Sequence, residues 1–255
     1  MATYKKKYKP EGKKAEQQLE EMESTTAEVF NTLDETASKS EQWIEKNSKV
    51  LFGSLIAIVV IFLVFLGYNK YVVTPNELEA SNELAFPRKY FDEAATAGSG
   101  IDSLLNLGLE GADGNYGFLD IAEVYSGTSA GNLANYYSGV SYLQMKEYDK
   151  GIEFLGKFNS DNAILNAVAL GAIGDAFSDI DQQNDALDYY EKAANVESND
   201  FTTPLFLFKG GQTAMLLNEF DKAVAMFSII KEKYSKSEQG RDIDKFINAA
   251  KYAKD

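Results

Sequence analysis

The chain has no cysteine and no histidine. Without cysteine there are no disulfides, no lipid attached through sulfur and no thiol nucleophile. Without histidine, Ser-His-Asp and Cys-His catalysis cannot be assembled, and the usual zinc ligand sets lose their members. Positive charge is also scarce, at 25 Lys+Arg against 39 Asp+Glu, net −14. That balance lacks the basic stripe a nucleic-acid-binding surface needs. A glycine-rich phosphate loop followed by Lys-Ser/Thr is missing too. Carboxylate pairs remain, but a chain this acidic brings carboxylates together by chance. No enzyme, cofactor, metal ion or small-molecule substrate is therefore expected.

What the chain has is one stretch that water does not tolerate. Residues 50–69, VLFGSLIAIVVIFLVFLGYN, carry no charge. At 1.5 Å rise per residue they make a helix of about 30 Å, the hydrocarbon thickness of a bilayer. Lys46 and Lys49 precede the run, and Tyr68, Lys70 and Tyr71 follow it, the aromatic and basic mixture of a headgroup region. A cleaved leader would have a shorter apolar core and a small-residue cleavage site. The expectation is an uncleaved, single-pass anchor.

Charge divides unevenly about that anchor. Residues 71–255 carry almost all of the excess acid, whereas Lys5, Lys6, Lys7, Lys9, Lys13 and Lys14 cluster near residue 1. With Lys39, Lys46 and Lys49 they bias the N-terminal side toward the cytoplasm and the acidic domain toward a periplasm. Residues 1–24 read as a disordered tail. Residues 25–49 read as an amphipathic helix, with Val29, Phe30, Leu33, Ala37 and Ile44 near one face. It serves either as an interfacial stalk or as a docking helix.

After the anchor the chain repeats. Gly139, Tyr142, Gly151 and Leu155 correspond to Gly174, Phe177, Ala186 and Tyr190, and to Gly211, Ala214, Ala223 and Phe227. The glycines lie 35 and 37 residues apart, near the ~34 of tetratricopeptide repeats. The spacing predicts three helical hairpins over 132–241, with a small residue at each glycine letting the paired helix come close. Polar turns fall at 145–149, 181–185 and 217–221, and Asp242–Lys254 is a terminal helix over the last apolar face. In 70–131 we expect juxtamembrane helices interrupted at Pro87, with Phe91-Asp92-Glu93-Ala94 as the second helix of a degenerate opening repeat. A glycine-rich loop follows over 97–117, then a short helix to Tyr125. Asp113-Gly114-Asn115-Tyr116-Gly117 reads as a turn, since it lacks the later ligands of a calcium loop. The fold class is all-α.

The block SEQWIEKNSKVLFGSLIAIVV, followed by tetratricopeptide hairpins, resembles the ancillary subunit family of the bacterial SecYEG translocon. The segments GFLDIAEVY, AGNLANYYSGVSYL, LGAIGDAF and NDFTTPLFLFKGG look like tetratricopeptide membrane proteins common in Bacteroidota. The resemblance implies an inner-membrane protein with a cytoplasmic N-terminus and a periplasmic repeat domain. Its implied partners are SecYEG, a membrane-anchored prolyl-isomerase-like chaperone and newly translocated chains. Residues 1–40 are longer than that family's leader. The alternatives left open are a cytosol-facing repeat receptor and a scaffold for another envelope complex.

Family geometry implies a groove lined by the first helix of each hairpin. Leu133, Tyr136, Val140 and Leu143 would come from the first repeat. Val168, Gly171, Asp175 and Ser178 would follow from the second, and Leu205, Phe208, Gln212 and Met215 from the third. None of these is Lys or Arg, so the groove should hold apolar segments rather than clamp a carboxylate.

Overall fold

The computed structural model describes residues 43–254, in two compact units that divide between Tyr68 and Asn69. In the first, the described residues form one helix, α1 (residues 43–68). Its polar side chains bond their own backbone: Asn47 Nδ2 donates to the Trp43 carbonyl and Ser54 Oγ to that of Leu51, both at 2.8 Å. A hydroxyl satisfied in this way can enter hydrocarbon cheaply. Phe52, Leu55, Ile61, Phe62 and Phe65 all lie exposed. A core helix of a soluble protein would bury such residues, whereas the apolar window here is unburied throughout. Among the described residues, one helix is long and apolar enough to cross a membrane. No boundary falls at residue 50: the helix is continuous from 43, so the expected stalk and anchor share it, and the rest of the 25–49 segment lies outside the described residues.

The second unit opens with a π-helical turn, Asn69–Val73, and continues into α2 (Thr74–Glu83) and α3 (Ala85–Thr96). Pro75 sits in the first turn of α2, where a missing N–H costs nothing. Pro87 lacks the N–H that would reach back to Glu83, and the helix is interrupted at Leu84 although the backbone there stays right-handed.

Over 97–117 the structure corrects the sequence reading. Ile101–Glu110 is a helix, α4, that buries Leu105, Gly108 and Leu109. Gly108 belongs inside it because a Cβ there would press on the Pro87 carbonyl at 3.2 Å and the Phe118 ring at 3.5 Å. Helix α3, which carries Phe91, packs on α4. Asp113 and Gly114 both take positive φ, 55° and 81°, beneath an Asn115 N–H to Ala112 carbonyl bond of 2.9 Å, which makes the expected turn a type I′ turn. The short helix α5 (Phe118–Val124) follows.

Three hairpins come next: α6 (Ser129–Gln144) with α7 (Tyr148–Lys157), α8 (Ala163–Asp179) with α9 (Gln183–Ala194), and α10 (Thr202–Leu216) with α11 (Phe220–Lys233). The first begins at Ser129, three residues before the expected boundary, because Thr128 Oγ1 accepts from the Gly131 N–H at 2.9 Å. Asn162 caps α8 and Asn199 caps α10 in the same manner. Each hairpin turns through one left-handed residue: Lys146, Asp181 or Asn218, with φ of 63°, 60° and 60°. The next N–H then reaches five residues back, to Tyr142, Phe177 or Ala214, at 2.8–2.9 Å. This is one helix-terminating motif used three times.

The glycines behave as their spacing predicts. A Cβ on Gly139 would lie 2.6 Å from Leu155 Cγ and 2.9 Å from the Leu155 nitrogen, and one on Gly174 would lie 2.8 Å from the Tyr190 ring. On Gly211 it would run into Phe227. Successive helices pack from α5 to α12 (Ile243–Lys254), which lays Ile243, Ile247 and Ala250 against α11. Among the described residues no strand forms, and the one extended pairing is the Ala112–Asn115 bridge.

Candidate functional site

Most side chains of the expected groove are half-buried. Its residues distribute among three separate apolar clusters between neighbouring helices. Leu133 packs on the cluster of Leu84, Phe118, Ile121 and Ala134. Tyr136, Val140 and Leu143 pack around Leu155, Ala169 and Ile173, with the Tyr136 ring 5.2 Å from Phe158. Leu205, Phe208 and Met215 belong to the C-terminal core. Phe208 stands 4.7 Å from Phe246 on α12 and 5.9 Å from Phe227 on α11, so it is a packing residue of the cap. Gly171 is buried against the Phe206 ring. Of the residues expected in the groove, Gly171 is buried, Gln212 is exposed and the others are half-buried. The reason is helical geometry: a face that repeats every hairpin is the face the next hairpin covers.

The same face is also not free of cations. Lys209 Nζ on α10 lies 2.7 Å from both carboxylate oxygens of Asp175 on α8, and the Tyr190 hydroxyl on α9 donates to Asp175 Oδ1 at 2.7 Å. One carboxylate therefore ties three helices from two hairpins. Burial first, and then the bond to Asp175, push the Tyr190 hydroxyl well above the usual tyrosine range. Lys209 stands next to Phe208 in sequence, but its partner lies 34 residues away, a contact no spacing announces.

A further concavity lies elsewhere. A cleft of about 1070 Å³ runs along α6, bounded by α5 and the Ser126-Gly127-Thr128 loop on one side and by α7 and Asn159 on the other. Its α6 residues are Asn132, Asn135 and Tyr142, one step round the helix from those expected to face a groove.

The α7 wall is ordered by its own contacts. The Tyr142 and Phe154 rings stack with centroids 5.6 Å apart. Lys150 Nζ lies 4.9 Å over Tyr142 and Lys157 Nζ 4.6 Å over Phe154, which places a cation on the outer face of each ring. Both lysines also pair within their helix region, Lys150 with Glu147 and Lys157 with Glu153. Burial raises the Tyr142 hydroxyl; Lys150 opposes that rise, while Glu147, Glu110 and Glu153 reinforce it. At the far end Asn132 holds residue 159 in place, its Oδ1 accepting the Asn159 N–H at 3.0 Å and its Nδ2 donating to the Asn159 carbonyl. Sequence reasoning missed this cleft, since its lining comes from helices that show no common motif. Among the described residues, no group of His, Cys, Asp and Glu is placed to hold a metal ion.

No protein-family model matches this chain, and no curated protein matches it in sequence.

Proposed function

We propose that the chain is a membrane-anchored, non-enzymatic scaffold that binds partner or client polypeptides at the Sec translocon, as a chaperone-like accessory. The observation that carries this reading is the pairing of an unburied, bilayer-length apolar helix with tandem helical hairpins. Each hairpin is closed by the same left-handed turn and the same glycine contact, as in tetratricopeptide arrays. Stacked hairpins present extended surface rather than a reaction centre, and proteins use such arrays to hold other chains. The reading places the anchor in a bacterial inner membrane, residues 1–49 in the cytoplasm and the hairpins in the periplasm. SecYEG and the prolyl-isomerase-like chaperone enter through the resemblance of the anchor region and the repeats.

Two measurements on the full-length protein test it. A reporter that works only in the periplasm, fused after Asp255, is expected to be active; activity of a cytoplasm-only reporter there reverses the topology and leaves a cytosol-facing receptor. Purification in mild detergent followed by mass spectrometry is expected to recover translocon subunits in stoichiometric amounts. Their absence, with the protein intact and inserted, rejects the translocon assignment.

A further inference from the structure

We propose that the cleft between α5 and α7 seats a basic, extended segment of another polypeptide; this rests on the scaffold reading and names the ligand chemistry of one surface. Shape comes first. The lining on α6 spans Asn132 to Tyr142, about 15 Å at the helical rise. At roughly 3.3 Å per residue that length accommodates four or five residues of extended chain. Floor and ends carry hydrogen-bonding side chains rather than a closed apolar pocket: Asn135, whose amide donates to the Gly131 carbonyl at 3.2 Å, and Ser126 and Asn159 line it. Such groups meet a peptide backbone, whose N–H and C=O must be satisfied on burial.

Charge fixes the sign of the ligand. Two lysines line the cleft, but each is folded over an aromatic ring and paired with a glutamate near it in sequence. Glu123 on the opposite wall has no ion-pair partner among the described residues, and Glu110 also bears on Tyr142. Glu123 and Glu153 line the cleft beside two lysines already spoken for, with Glu147 and Glu110 bearing on Tyr142 from outside it, in a domain that is itself strongly acidic. The residual field is negative, and a low-dielectric concavity concentrates it. An incoming Lys or Arg meets Glu123, while an acidic segment meets repulsion.

The test uses the full-length protein in detergent micelles and two dye-labelled, unstructured decapeptides, one with alternating Lys and Ser and the other with Glu in place of Lys. Fluorescence anisotropy is expected to show binding of the lysine peptide alone, weakening steeply as salt rises. Glu123→Lys is expected to weaken that binding by at least about fivefold, with the helical signal and melting temperature unchanged. Asp185→Lys, an equal charge change on exposed α9 and outside the cleft, is expected to have less than a third of that effect. Equal binding of the glutamate peptide, or equal effects of the two substitutions, overturns the proposal. If the lysine peptide fails to bind while translocon subunits still co-purify, the cleft assignment falls and the scaffold reading stands. If the peptide binds and no translocon subunit is recovered, the cleft assignment stands alone.

Discussion

At the scale of single residues, the hairpin turns carry a cost that substitution can relieve. Lys146 and Asp181 adopt the left-handed backbone that glycine accepts without penalty and a β-carbon resists. Neither is buried, so replacement removes no packing. Lys146→Gly and Asp181→Gly should each stabilise the fold by about 0.5–1 kcal/mol, read from chemical or thermal melts. The same change at Asn218 should gain less, because asparagine tolerates this conformation. Tyr190 gives a prediction in pH. Its folded hydroxyl is held protonated above the range where an unfolded tyrosine, near pH 10, begins to ionise. The stabilisation is thus whole below about pH 10 and is lost as pH rises beyond it, since the unfolded chain then releases a proton that the folded one keeps. Tyr190→Phe should cost about 1 kcal/mol at pH 7 through the missing bond to Asp175. It should also flatten the decline in stability between pH 9 and 11, measured as melting temperature against pH.

At the scale of elements, identical residues on one hairpin do opposite things. Gly139 sits where α6 meets the α7 backbone, and the atoms its Cβ would strike include the Leu155 nitrogen and the Gly151 carbonyl, which cannot rotate away. Gly156, near the end of α7, has nothing within 4 Å of where its Cβ would be. Gly139→Ala should therefore destabilise by about 1–3 kcal/mol through forced separation of the helices. Gly156→Ala should stabilise by about 0.5 kcal/mol through helix propensity alone. Equal effects in matched melts would mean that the hairpins are not in this register. A further element-scale consequence concerns Phe208: truncation there strips the contact between α10 and the α12 cap and should lower the melting temperature.

At the scale of the molecule, charge opposes folding. Residues 71–255 carry nearly all of a net −14, and the ion pairs that join separate helices, such as Lys231–Asp244 and Lys222–Glu191, are substantially exposed. Exposed pairs contribute about 0–1 kcal/mol each, whereas the surplus acids repel one another throughout the unit. Salt screens both, and the surplus decides the sign. Raising ionic strength from about 10 mM to about 150 mM shortens the screening length to about 8 Å. The melting temperature of the intact protein should rise as a result; a fall would mean that the interhelical pairs dominate.

What the sequence determined by itself was whatever depends on neighbours a few residues away. The apolar stretch over 50–69, the glycine spacing, the polar turns and the terminal helix are all of this kind, because hydrogen bonds and side-chain periodicity within a helix are local. The turn at Asp113-Gly114 was legible for the same reason, and its type I′ geometry came from the structure. Tertiary structure alone decided which of two apolar-looking faces is covered. Tyr136 and Phe208, read from the sequence as groove residues, are half-buried, because the placement of Phe158, Phe246 and Phe227 covers part of each ring. Helix α4 was hidden by glycines that look like a loop until the Pro87 carbonyl and the Phe118 ring are seen pressed against Gly108. The Lys209–Asp175–Tyr190 cluster and the α5–α7 cleft were likewise out of reach, since both join residues from separate helices whose juxtaposition is fixed by packing and by no pattern along the chain.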